Sequence, residues 1–245
     1  MKDNFSRQSG EYARYRPRYP RSLFEFFAGT VEHKKTAWDA GTGNGQTAAE
    51  LALLFHQVIA TDISTRQLEH AFQAYNITYR NEPAEKTSIA DGSVNLVTVS
   101  QALHWFKLDE FYAEVHRVAA PGGIFAAWTY SRLVCDPPVD ELMNHFHVDI
   151  LKTYWDPERK YVEDRYTTIP FPFKEITVPD FQIRTSWRLQ DLEGYINTWS
   201  AVQKFIAAEG ENPVSSLVAQ IGRHWANDET KEIIFPIHLK MGYIH

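Results

Sequence analysis

The sequence predicts an α/β fold, a mostly parallel sheet with helices on both faces. Three observations carry that expectation. From Thr36 to about Trp128, short apolar runs alternate with helical patterns, the signature of right-handed βαβ units. The run "VNLVTVS" is apolar enough to be buried on both faces, as inner strands of parallel sheets are. A glycine-rich stretch, "WDAGTGNGQT", then joins a strand to a helix, where folds of this class hold nucleotides.

The elements follow in order. "TAWDA" reads as a strand and "QTAAELALLF" as the helix after it. "QVIATD" is a second strand and "STRQLEHAFQAY" its helix, with Ser64 as N-cap. "ITYR" is a third strand and "VNLVTVS" a fourth. Leu108, Phe111, Tyr112, Val115 and Val118 fall at helical spacing, and the Pro121–Gly123 turn leads into "IFAAW". After Tyr130 aromatics and prolines accumulate to about residue 170, around one helical stretch, "PVDELMNHFHVDILKTYW". "FKEITV" and "QIRTSWRL" read as edge strands separated by Pro179 and Asp180. "DLEGYINTWSAVQKFIAA" and "PVSSLVAQIGRHWA" are helical. Phe235, Ile237, Leu239, Met241 and Tyr243 alternate with Pro236, His238, Lys240 and Gly242, a final strand with one buried face. A strand arriving this late rejoins the sheet. Residues 1–245 therefore read as one domain: arm and helix at 1–32, core at 33–130, helical cap insertion and edge strands at 131–230, final strand at 231–245.

Composition narrows the function. The chain has 245 residues, of which 44% are hydrophobic and 23% charged, enough to bury a core. Cys135 is the sole cysteine, which excludes an internal disulfide and a cysteine zinc cage. No apolar run approaches the roughly 18 residues of a membrane span, and the first residues have no apolar centre, so a cytoplasmic protein is expected. A net charge of −6 argues against general nucleic-acid binding. The start of the chain is different. Lys2, Arg7, Arg14, Arg16, Arg18 and Arg21 face only Asp3 and Glu11, with Tyr12, Tyr15 and Tyr19 interleaved. A solvated face and an anion-facing arm both fit this pattern.

Three ligands compete for Gly41, Gly43 and Gly45. A phosphate loop would need Lys-Ser or Lys-Thr after the last glycine, and neither follows. A dinucleotide loop would need glycine where Gln46 stands. The pattern present is D-x-G-x-G-x-G, led by Asp39. An acid there repels a pyrophosphate but suits an ammonium group, such as that of S-adenosylmethionine. Asp62, ending the second strand, suits ribose hydroxyls, which NAD and S-adenosylmethionine share.

These residues resemble the class I S-adenosylmethionine-dependent methyltransferases. "DAGTGNG", "ATDIS", "PAEKTSIADGSVNLVTVSQALHWF" and "RVAAPGGIFAAW" match that family's motifs in order. A narrower likeness, to small-molecule enzymes of the ubiquinone-biosynthesis and trans-aconitate type (methyltransferase type 11 domain), rests on "YARYRPRYP", "ALHWF" and "TWSAVQKF". The resemblance implies a Rossmann-like sheet of seven strands, the last antiparallel, and S-adenosyl-L-methionine as cofactor. By the same resemblance Tyr12 and Arg16 close over the methionine carboxylate. Asp39, Ala40, Gly41, Thr42, Gly43 and Gln46 surround the methionine part. Asp62 takes the ribose, Ile63 and Gln67 border the adenine, and Ala84 and Glu85 meet its edge. Ser100, Gln101, His104 and Trp105 complete the cofactor set. The chain departs from the common pattern at "EKTSIADGS", which lacks an apolar-proline pair after the acid.

Methyl transfer is an in-line displacement, for which a protein supplies proximity, alignment and a dry cavity. The segment after the fourth strand faces the methyl group. Here it reads "SQALHW", without the Pro-Pro of enzymes that methylate base amino groups. His104 is the candidate base, with simple packing of His104 and Trp105 as the other reading. "HFH", His145 to His147, does not make a metal pair, because helical residues two apart point to different sides. Aromatics between 146 and 173 wall a substrate pocket, with Trp105 and Trp199 as acceptor-side candidates. Arg132 suits a carboxylate and an aromatic cap suits a quinone precursor, so both acceptor types stay open. Expected partners are thus a small methyl acceptor, without nucleic acid or membrane, in a monomer or homodimer. Two other functions remain: a non-catalytic or protein-directed module of the same fold, and an NAD-dependent oxidoreductase.

Overall fold

The computed structural model describes residues 15–245, so Tyr12 lies outside the described residues. The core runs in βαβ order. Helix α1 (Arg21–Thr30) precedes β1 (Thr36–Ala40), α2 (Gln46–Ala52), β2 (Gln57–Asp62), α3 (Thr65–Glu69) and β3 (Ile77–Asn81). Then come β4 (Val94–Ser100), a single 3-10 turn (Leu103–Trp105), α4 (Leu108–Val118) and β5 (Ala119–Tyr130). The insertion holds α5 (Pro137–His145), a π turn (Phe146–Ile150), α6 (Arg159–Glu163), β6 (Lys174–Glu175), β7 (Phe181–Trp187), α7 (Leu189–Asn197), α8 (Ser200–Glu209) and α9 (Val214–Ile221). Strand β8 (Lys231–Tyr243) closes the order.

Strand pairing runs β3-β2-β1-β4-β5-β8-β6, with β7 also on β8. The first five strands are parallel, and β8 lies antiparallel to β5. The sheet therefore has the expected mixed α/β architecture, with eight strands where seven were expected. The additional strand arises because the outer edge of β8 is divided. The two-residue β6 takes the Tyr243 end and β7 takes the stretch from Lys231 to Ile237.

Alternation along the strands sends side chains into two cores, one on each face. Ala37, Val58, Ala60, Leu96, Ile124, Ala126 and Trp128 join the core packed by α1, α2 and the insertion helices. Trp38, Ile59, Val97, Val99, Phe125 and Ala127 join the core packed by α4. Both faces are covered, which is why the strands read as unbroken apolar runs.

Three expectations are corrected. The helix after the second strand has five residues only; beyond it the chain runs back to the glycine loop, where Phe72 N–H bonds Asn44 O at 3.2 Å. The single long helix expected through "INTWSAVQ" is two, α7 and α8. Thr198 Oγ1 donates to Tyr195 O at 2.6 Å, a local bond that competes with the helical ladder, and Trp199 leaves helical geometry (ψ 132°). On the final strand, Ile233, Phe235, Ile237 and Met241 are buried, but Leu239 is half-buried and Tyr243 is exposed although it pairs with Ile124 and Lys174 at the strand's end.

Candidate functional site

A cavity of ≈ 180 Å³ opens at the carboxyl ends of β1, β2 and β4, beneath the insertion. Parallel sheets place ligands there because the strand order reverses between β1 and β4.

The glycine loop makes its floor. Gly41 and Thr42 both donate backbone N–H to Thr61 O, at 2.9 and 3.0 Å, which ties the loop to β2. Gly41 and Gly45 have positive φ, +69° and +79°. A Cβ on Gly41 would come within 2.8 Å of Ala102 Cβ, and one on Gly45 would run into Tyr79 Oη. Only glycine lets the loop lie against those neighbours.

Asp62 organises the next wall. Its carboxylate accepts Gly43 N–H at 2.9 Å and Ser64 N–H at 2.8 Å, and its own carbonyl accepts from Asn81. Ser64 caps α3 through Gln67 N–H, and Ile63, Ser64 and Gln67 all line the cavity. Gln67 is buried, and its Oε1 has no hydrogen-bond partner among the described residues.

At the opposite end, Arg16 donates to the Tyr130 hydroxyl at 2.8 Å and lies 5.5 Å from the Tyr195 ring centroid. Ser100 Oγ donates to the Tyr19 hydroxyl at 2.6 Å, linking β4 to the N-terminal segment. Gln101 follows with a positive φ of 55°, held by its N–H on Trp128 O and by Thr129 Oγ1 donating to its side-chain oxygen. A non-glycine residue in that region stores strain, which concentrates at sites that position ligands.

Past this turn His104 lies 9% exposed on the cavity wall, with its ring 4.8 Å from that of Trp105. Its Nδ1 is 2.8 Å from the Tyr166 hydroxyl. Burial, helped by the Arg159 charge, pulls the imidazole down to about 3, so it is neutral at physiological pH. A ring with so acidic a conjugate acid is a weak proton acceptor.

The insertion forms the roof. Trp155, Arg159, Val162, Tyr195 and Trp199 face the cavity, and Trp155 stacks against His147, Trp199 and the Arg159 guanidinium. A second cavity of ≈ 470 Å³ adjoins the first and shares Ser131, Arg132, Arg159, Val162 and Trp199 with it. Arg132 donates to Asn144 Oδ1 at 2.6 Å. His145 and His147 do point apart: His145 pairs with exposed Asp149, whereas His147 is buried 3.4 Å from Glu163. Among the described residues no group of three or more His, Cys, Asp or Glu is arranged to hold a metal ion. No helix among them is long and apolar enough to cross a membrane.

The cavity thus brings together Arg16, Gly41, Thr42, Gly43, Gln46, Asp62, Ile63, Gln67, Ser100, Gln101, His104 and Trp105, with Arg132 and Trp199 on the roof side. It does not bring in four others. Asp39 is wholly buried behind the loop, accepting Thr42 Oγ1 at 2.6 Å and Thr98 Oγ1 at 2.9 Å, and burial raises its carboxyl to about 7. Ala40 and Ala84 are core residues. Glu85 accepts Lys107 N–H at 3.0 Å and so caps the start of α4. The sequence reading overlooked Tyr19, Tyr130, Trp155, Arg159 and Tyr195 as individuals. The strand-end rule points to Tyr130, and the aromatic density after residue 146 signals Trp155. Arg159 sits in an ordinary charged run with no signal of its own.

Comparison with known proteins places this geometry. Residues 38–127 match the family described as methyltransferase domain. A protein assigned as a methyltransferase in Dictyostelium discoideum is 31% identical, over 97% of this chain and 93% of its own length. A solved structure assigned as a type II methyltransferase from Anaeromyxobacter dehalogenans superposes with a TM-score of 0.88. It has 37% identity, over 94% of this chain and 98% of that one. A Saccharomyces cerevisiae protein assigned as an S-adenosylmethionine-dependent methyltransferase, CRG1, is 32% identical over 50% of this chain and 45% of its own.

Proposed function

Because this chain belongs to the methyltransferase domain family, we propose that it moves a methyl group from S-adenosylmethionine to a small-molecule acceptor, a carboxylate or quinone-like metabolite. One observation carries the reading: the glycine loop, the Asp62 carboxylate and the segment after β4 converge on a single roofed cavity.

The residues fit the cofactor's chemistry at both ends. Asp62, already locked by two amide hydrogens, presents its carboxylate edge to ribose hydroxyls. The lone acceptor on Gln67 suits the amino group of an adenine bordered by Ile63. Arg16 offers a guanidinium to the amino acid carboxylate. Asp39 acts from behind, holding Thr42 and hence the loop. When bound, S-adenosylmethionine supplies an electrophilic methyl carbon on a sulfonium. The protein's contribution is to hold the acceptor in line with that carbon and to exclude water. The 3-10 turn carrying His104 and Trp105 faces that place, and the Trp155–Trp199 roof closes over it. The second cavity, with Arg132 at the join, supplies the volume for the acceptor body.

Calorimetric titration with S-adenosylhomocysteine, with NAD alongside, tests the proposal. Micromolar binding of the former and none of the latter is expected. Binding of NAD alone overturns it.

A further inference from the structure

Tyr166 is wholly buried in the insertion, on a two-residue left-handed turn with φ of 56° at Arg165 and 59° at Tyr166. Backbone of that kind is costly for residues other than glycine. Its effect here is to aim one phenol at one imidazole nitrogen, 2.8 Å away. Burial holds the phenol well above the ordinary tyrosine value, so it keeps its hydrogen. A wholly buried hydroxyl needs an acceptor for that hydrogen, and the hydrogen-bond geometry among the described residues supplies His104 Nδ1. An imidazole that accepts at Nδ1 while neutral carries its proton on Nε2.

We infer that Tyr166 is a positioning residue that locks His104 as the Nε2–H tautomer, so that His104 donates a hydrogen bond into the cavity and recognises an acceptor oxygen that is already ionised. The inference rests on the methyltransferase reading for the identity of the cavity. It assigns His104 the opposite role to a general base: a nitrogen that already bears hydrogen has no lone pair for a proton from the acceptor.

The rest of the cavity agrees. The two carboxylates lining the first cavity have other work, Asp62 on two backbone amides and Asp156 on Lys204 at 2.7 Å, and so do the two lining the second, Asp140 on the Cys135 amide at 2.8 Å and Glu163 on Arg159 at 3.0 Å. No lining carboxylate among the described residues stands ready as a base. With Arg16 given to the amino acid carboxylate, two guanidiniums, Arg132 and Arg159, remain on the walls shared by both cavities and favour a negative guest. An ionised oxygen suits such a site. Its lone pair makes the new O–C bond, the old C–S bond breaks onto sulfur, the two charges cancel, and no proton has to leave.

The test is nitrogen-15 NMR of the histidine rings in the full chain at neutral pH, with the His104 signals assigned by their loss in His104→Gln. The wild-type protein is expected to show a hydrogen-bearing Nε2 and a bare Nδ1. Tyr166→Phe, which removes one hydroxyl, is expected to give a mixture of tautomers. A bare Nε2 in the wild type, or an unchanged single tautomer in Tyr166→Phe, overturns the inference. The wild-type spectrum alone decides if Tyr166→Phe does not fold. With S-adenosylhomocysteine present, benzoate is expected to move the His104 Nε2 signal, and benzyl alcohol, of similar shape but un-ionised, is not. Benzoate affinity should fall about two- to fivefold in Tyr166→Phe, as the fraction of the donating tautomer falls. A response to benzyl alcohol, or to neither compound, overturns the assignment of acceptor class. Failure of S-adenosylhomocysteine to bind would instead overturn the methyltransferase reading and leave the tautomer result standing.

Discussion

The cofactor half of the site, built from residues 36–105, and its roof, built from residues 131–200, achieve precision by different means. In the cofactor half the decisive contacts are made by backbone. Gly41, Thr42, Gly43 and Ser64 all place amide hydrogens on Thr61 or Asp62, and strand pairing fixes where those amides are. In the roof the contacts are made by side chains on irregular backbone. Trp155, Trp199, His147 and Arg159 pack on one another, anchored by a π turn, a helix break and a left-handed turn. A site wall made of amides uses groups that every residue but proline carries, once glycine supplies the turns, whereas one made of packed rings changes with each side chain. In the proposed function the common ligand accordingly belongs to the first half and the choice of acceptor to the second.

Breaking the backbone half should have the largest effect. Gly41→Val puts a branched side chain at a φ of +69° and into Ala102. Strain and overpacking of this kind cost about 2–4 kcal/mol, so S-adenosylhomocysteine affinity measured by calorimetry should fall at least about 100-fold. Next comes Asp62→Ala, which strips two amides of their charged acceptor. Hydrogen bonds to charged groups contribute about 1.5–3 kcal/mol each, and a loss of about 10- to 100-fold in the same titration is expected.

The roof should respond differently. Trp155→Ala removes the ring against which His147, Trp199 and Arg159 pack. Methyl transfer from labelled S-adenosylmethionine should drop about tenfold, with cofactor affinity changed less than about threefold, since aromatic contacts contribute about 0.5–1.5 kcal/mol each. Equal losses in both would erase the distinction between the halves.

The last effect is on stability and sharpens the comparison by pH. Asp39 is buried, and its carboxyl rises from 3.8 to about 7. A raised carboxyl contributes stability that is complete below the unfolded value and is lost as pH rises through the folded one. The wild-type protein should therefore lose stability between pH 4 and 8 at this position. Asp39→Asn keeps an acceptor oxygen for only one of Thr42 and Thr98 and turns an NH2 to the other, but it removes the charge and should flatten that slope, gaining about 2–3 kcal/mol at pH 8 relative to pH 5. Urea unfolding at both pH values checks it. An identical slope in the variant would mean that Asp39 does not titrate there.

Much of this was legible in the chain. The strand positions, the glycine loop, Asp62 and the segment after β4 all follow from local rules, because parallel strands demand apolar runs and tight loops demand glycine. Less legible was where a side chain turns once it leaves a strand. Asp39 and Asp62 look alike in sequence, each an acid near a strand end, yet Asp62 lines the cavity and Asp39 is shut behind Thr42. Glu85 similarly sits in a motif position while its carboxylate caps α4.

By itself the sequence determined the parallel core, the position of its ligand-bearing edge and the family's motif order, since each depends on residue type at short range. Only the tertiary structure decided that Thr198 would break a helix and turn Trp199 toward the cavity. It also decided that the edge of β8 would be shared, and that Tyr166 would meet His104 across 62 residues of chain. Those outcomes depend on which distant surfaces meet, and packing between residues far apart in the chain leaves no periodic trace in the sequence.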